Sequence, residues 1–182
     1  MSTTKVQAPT SRLRFGHAQA DVTPPGNIYH RMWGAARHDA GTGVHAPIIG
    51  DVMVLAPIAG DAPAFVRAQF DMVGLGPEDH ELLHNALAEG ADVPSDHVII
   101  GYSHTHSGGF FSRDRVGMPG GDLIIPYLEG MFATMRETAQ RAAAAMQPAT
   151  ITWAAGWCNM AYNRDYWDEN MPGYACGFNP DA

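Results

Sequence analysis

The residues best suited to chemistry are Ser103-His104-Thr105-His106-Ser107-Gly108-Gly109. Two histidines separated by one residue can converge on a metal ion, because alternate side chains of an extended chain point the same way. At a strand terminus that alternation can break, and the two imidazoles then take separate roles. The competing reading is a pair of polar residues in a solvated turn. Two features favour chemistry. The motif follows the apolar stretch His97-Val98-Ile99-Ile100-Gly101-Tyr102, and ligands of open α/β sheets gather beyond the carboxyl ends of parallel strands. Gly108-Gly109 then allows close approach of a ligand, since neither residue has a Cβ.

Other residues could assist. Asp71 ends the apolar stretch Ala64-Phe65-Val66-Arg67-Ala68-Gln69-Phe70. If that strand neighbours the one before the motif, Asp71 lies near the histidines and can orient an imidazole from behind; otherwise it forms a turn before Gly74. His45, in Gly43-Val44-His45-Ala46-Pro47, is a loop histidine that either supports the site or serves a local hydrogen bond. Arg164 sits among Tyr162, Tyr166 and Trp167. It could clamp a carboxylate or stabilise an oxyanion, or pair on the surface with Asp165 or Asp168. Arg113 and Arg115 read as solvated rim residues. His80 and His84 share a helix face, but Glu81, Leu82 and Leu83 between them do not make the His-Glu-x-x-His zinc pattern, so a solvated face is expected. The chain has no Gly-x-Ser-x-Gly elbow, P-loop or dinucleotide fingerprint.

The elements that must position these groups are legible from pattern. Residues 1–11 are polar and aperiodic, and read as a mobile tail. A strand over 12–22 runs into the breaker Thr23-Pro24-Pro25-Gly26, and 27–47 is a long irregular segment. Apolar runs at 51–59 and 64–71, joined by Gly60-Asp61-Ala62-Pro63, predict an antiparallel hairpin. Pro77, Glu78 and Asp79 open a helix that Gly90 closes. Strand, helix and strand in succession predict a βαβ crossover with a parallel pair. A second helix is predicted over 123–146, then a strand over 150–158. The fold class expected is α/β: a mixed sheet with a βαβ crossover and flanking helices. Residues 159–182 read as irregular.

Composition sets the outer limits. The chain has 182 residues and 46% of them are hydrophobic, enough for a buried core. The net charge of −8 and the absence of a basic cluster argue against a nucleic-acid partner. No apolar run reaches the length of a transmembrane helix, and no signal peptide is visible at the start, so a cytoplasmic location is the default expectation. Cys158 and Cys176 are too few for a disulfide scaffold, and spacing alone leaves open whether they pair.

Taken in order, these motifs resemble a known family. Ala20-Asp21-Val22-Thr23-Pro24-Pro25, Gly43-Val44-His45, Asp71, Ser103-His104-Thr105-His106-Ser107-Gly108 and Asn163-Arg164 are similar in order and approximate spacing to segments of the neutral/alkaline non-lysosomal ceramidases. The His-Thr-His-Ser-Gly element is the most specific of them. The resemblance implies a zinc-dependent amidase that splits an N-acyl amide bond, acting on a small-molecule or lipid amide. It implies that His104 is a zinc ligand, that His106 is an acid–base or transition-state-stabilising group, and that Arg164 holds the reacting group. It also implies that a second histidine, a glutamate and a tyrosine complete the zinc site from later segments. On that reading residues 12–182 are the N-terminal portion of a larger hydrolase domain. Two alternatives remain open: a hydrolase of the same scaffold acting on another amide or ester, and a non-catalytic binding module without a complete metal site.

Overall fold

The computed structural model describes residues 10–32, 37–161, 163 and 165–176. The chain forms two compact units: residues 10–151, which hold the catalytic candidates apart from Arg164, and a smaller one that includes residues 152–161 and 165–176.

The larger unit is a mixed sheet with both helices packed on it. Its strands are β1 (Thr10–Asp21), β2 (Ile49–Ala56), β3 (Phe65–Phe70), β4 (Val98–Tyr102) and β5 (Gln147–Thr152), and its helices are α1 (Pro77–Ala91) and α2 (Ile124–Ala144). The sheet order is β4-β3-β2-β1-β5. β1 pairs antiparallel with β2, and β2 antiparallel with β3. β3 and β4 are parallel, with Phe70 opposite Tyr102. The βαβ crossover expected from the sequence is therefore β3-α1-β4, and it brings the ends of β3 and β4 side by side.

Alternation decides which face is covered. Val52 and Val54 of β2, and Val66, Ala68 and Phe70 of β3, are buried with Leu83, Leu87, Leu128 and Met135 of the helices. Glycines let the helices close on the sheet and on each other. A Cβ at Gly16 of β1 would strike the Ala142 carbonyl of α2, and one at Gly90 of α1 would strike the Arg136 carbonyl. The opposite residues of the strands are polar or partly exposed: the Asp51 carboxylate accepts hydrogen bonds from Gln19 at 2.8 Å and meets the His17 ring at 2.6 Å.

α1 begins as its sequence dictates. Pro77 occupies the first turn, Glu78 and Asp79 complement the positive end of the dipole, and Asp92 closes the helix in the left-handed conformation. The strand after α2 differs from expectation. It starts at Gln147, includes Pro148 and stops at Thr152; β5 is an edge strand, where proline is accommodated in a sheet. At the other end, Thr10 and Ser11 belong to β1 rather than to a tail; residues 1–9 lie outside the described residues.

The smaller unit contains a hairpin that the sequence pattern did not announce, β6 (Asp165–Asp168) paired antiparallel with β7 (Gly173–Cys176). Trp167 and Tyr174 stack edge to face across it, with centroids 5.6 Å apart, and such cross-strand aromatic pairs stabilise sheets. Cys158 and Cys176 are both free thiols. Among the described residues no helix is long and apolar enough to cross a membrane.

Candidate functional site

Strand pairing carries the histidine motif to its position. The β3–β4 ladder continues one step past the strands, with Ser103 N–H donating to Phe70 O at 2.9 Å and His104 N–H to Met72 O at 3.1 Å. The chain then turns. His104 has φ 55°, the left-handed region that a non-glycine residue enters at a cost of about 1–2 kcal/mol. This breaks the strand alternation at the first histidine, as a strand end allows. The two imidazoles nevertheless stay together, edge to face with centroids 5.3 Å apart. Both residues are exposed.

The His104 tautomer follows from its partner. Nδ1 lies 3.0 Å from the Val73 carbonyl oxygen. A carbonyl only accepts, so Nδ1 carries the proton and donates. In the neutral ring the lone pair is then on Nε2, the arrangement of a metal-ligating histidine fixed by an acceptor behind it. The acceptor at Nδ1 is a backbone carbonyl of the loop after β3. Asp71 itself lines a cavity beside the motif.

That cavity has a volume of about 400 Å³, within the range that holds small ligands. The motif contributes Ser103, Thr105 and Ser107 to its wall. The alternating histidines are outside the lining. His45 is in it, along with Asp71 and His30. Ile28, Ile48, Phe111 and Pro24 supply an apolar side.

The Ala-Asp-Val-Thr-Pro-Pro segment builds one edge of this cavity. The Asp21 carboxylate accepts from Thr23 N–H at 2.9 Å and from Thr23 Oγ1 at 2.5 Å, and Ile48 N–H donates to Thr23 Oγ1 at 2.8 Å. The two Thr23 bonds favour the ionised carboxylate and hold Asp21 below its ordinary pKa. Val22 N–H donates to Ile48 O at 2.8 Å, and Tyr127 donates to Val22 O at 2.8 Å. The end of β1 is thus tied to the start of β2 and to α2, and Pro24 and Pro25 are placed at the cavity.

Arg113 and Arg115 are not rim residues. Arg113 donates from Nε to Asp79 at 2.8 Å, and Asp79 is 3% exposed. Arg115 donates to Arg31 O at 2.6 Å and to Phe110 O at 3.2 Å, and lies over the Tyr29 and Phe110 rings. Together they fasten the glycine-rich loop after the motif to α1 and to the loop after β1. The reason is that a long loop has few backbone partners of its own, and guanidinium groups supply donors in several directions. His80 and His84 likewise face the protein. His80 Nδ1 meets Tyr102 Oη at 2.9 Å, and His84 donates from Nε2 to Val98 O at 3.2 Å, so this flank of α1 is held against β4. Burial raises the Tyr102 pKa, keeping its hydroxyl neutral beneath the motif.

Arg164 lies outside the described residues. His30 has no motif around it in the sequence. Its pKa lies below the ordinary imidazole value, first because of burial and second because of His38, with Asp39 opposing. The unfolded chain therefore binds more protons than the folded one below about pH 6.5. The stability His30 contributes is complete above that pH and is lost as pH falls through its folded value. A histidine NMR titration should place the His30 midpoint below about 6.5; a midpoint at or above that value contradicts the assignment.

Zinc needs three or four converging donors. Among the described residues no three His, Cys, Asp or Glu side chains come together in a group that could hold a metal ion. The described residues thus offer one prepared imidazole, that of His104, and not a complete site.

No family model matches the chain, and no curated protein matches it in sequence. Solved structures do match in fold. The neutral ceramidase of Pseudomonas aeruginosa superposes with a TM-score of 0.57 at 21% identity, over 79% of this chain and 23% of its own. A ceramidase complexed with C2 superposes with a TM-score of 0.59 at 21% identity, over 78% of this chain and 22% of its own. The chain therefore shares the α/β fold of these structures, and it spans less than a quarter of their length.

Proposed function

We propose that this protein is a hydrolase of N-acyl amide bonds, ceramidase-like and zinc-dependent, with His104 as one zinc ligand and the other ligands outside the described residues. The observation that carries this reading is the His104 ring: its Nδ1 is committed to Val73 O at 3.0 Å, at the end of a parallel strand pair and beside a cavity of small-ligand size. The fold likeness to ceramidases supports the same reading. Zinc, when bound, polarises an amide carbonyl and acidifies its water.

In the reaction, water oxygen joins the acyl carbon, the C–N bond breaks, and the leaving nitrogen takes a proton. His106, with its ring 5.3 Å from that of His104, is the proposed proton carrier at that nitrogen. Arg164 is the proposed donor to the developing oxyanion. Asp71 and His45 hold the polar part of the amide from the cavity wall. The proposed partner is a small-molecule or lipid amide. The cavity of about 400 Å³ favours a second version of this reading, the same chemistry on a short amide or ester.

A series of N-acyl amides and esters of rising chain length tests both versions. Hydrolysis is expected to stop when a zinc chelator is added and to return with zinc. A rate that falls as the acyl chain lengthens selects the short substrate, and activity untouched by chelation contradicts zinc dependence.

A further inference from the structure

The nine histidines divide by what their ring nitrogens do. Those of His17, His80, His84, His97 and His104 meet protein oxygen atoms. His30 lines the cavity, yet among the described residues its ring nitrogens have no hydrogen-bond partner in the protein. Its ring contact is with His38, edge to face at 5.3 Å.

The backbone places His30 with care. His30 N–H donates to Asp39 O at 2.9 Å, and Tyr29 N–H to Gly120 O at 3.1 Å. Arg115 grips Arg31 O at 2.6 Å, so residues on either side of His30 are pinned to the loop after the motif. That loop closes directly on His30: a Cβ at Gly109 would collide with His30 Cβ and Cα and press on the Phe111 ring. Gly109, the last residue of the histidine motif, is thus the position that admits His30 to the cavity wall. The other polar wall groups are partly spent on the protein, as Thr23 Oγ1 is on Asp21 and Ile48 and Thr105 Oγ1 is on Ser107 N–H.

We infer that His30 is a specificity-determining residue: its imidazole hydrogen-bonds a neutral hydroxyl of a ligand whose alkyl part lies along Ile28, Ile48 and Phe111. This rests on the reading of the cavity as the substrate pocket of the amidase. A neutral imidazole has one donor and one acceptor, which a hydroxyl can satisfy from either side. Its partial burial and the neighbouring His38 lower its pKa, with Asp39 opposing, which disfavours the imidazolium form that a carboxylate would select. Leaving this partly buried polar ring unpaired against an alkyl group is what produces discrimination.

The test is a binding titration with N-(2-hydroxyethyl)octanamide and its deoxy analogue N-ethyloctanamide. The expected result is a shift of the His30 ring nitrogen resonances by the hydroxylated amide. His30→Phe should weaken binding of that amide about fivefold to tenfold while changing the deoxy analogue less than about twofold, and His30→Gln should restore most of the preference. Equal losses for both amides, or no resonance shift on adding the hydroxylated one, overturn the inference. Hydrolysis is followed separately. His30-dependent binding without hydrolysis would overturn the amidase reading alone, and hydrolysis without His30 dependence would overturn only this inference.

Discussion

If His104 ligates zinc as proposed, replacing it by Ala is expected to abolish zinc binding and to lower amide hydrolysis by more than about a hundredfold, since even the groups that orient a metal ligand are each worth about 10- to 100-fold. The fold should survive. His104 is exposed, and its contribution to the ladder is through its backbone N–H to Met72 O. His104→Asn provides the matching control, because Asn also tolerates the left-handed conformation that His104 adopts at φ 55°. Zinc measured by elemental analysis and activity on an N-acyl amide should fall together in both variants, with circular dichroism unchanged. Zinc stoichiometry equal to that of the unmodified protein would contradict the ligand role.

Phe70→Ala is expected to cost about 3–5 kcal/mol. Phe70 is fully buried, and its ring packs where a Cβ at Gly50 would touch it and within 6.0 Å of the Tyr102 ring centroid. Removing it opens a cavity beneath the strand ends that hold the motif. For a chain of this length the melting temperature should drop by about 6–20 °C. Arg67→Ala, on the exposed face of the same strand, should change stability by no more than about 0.5 kcal/mol. Calorimetry on the two variants checks the contrast, and equal losses would mean that the face assignment is wrong.

Regular elements were legible where one period dominated. The β2–β3 hairpin, α1 and α2 have alternating or helical apolar spacing and clear terminators, and β4 follows as the second parallel strand. β6 and β7 were not legible, because Tyr166, Trp167 and Tyr174 are exposed and their alternation does not track burial. At the candidate site, the motif, Asp71 and His45 stand out in the sequence because glycines and strand ends surround them. His80, Arg113 and Arg115 do not, since their roles depend on partners 22, 34 and 84 residues away. Long-range pairing of that kind leaves no local trace beyond the residue type. The prolines of Thr23-Pro24-Pro25 signalled a break, but only the structure shows that Thr23 ties two strands together.

Hydrolysis of an N-acyl amino alcohol in water enriched with oxygen-18 tests the central claim most directly. Amide hydrolysis predicts one labelled oxygen in the released carboxylate and none in the amine, with both products lost in His104→Ala. Binding of the amide with no product, as a non-catalytic module would give, or an unlabelled acyl product, would contradict it.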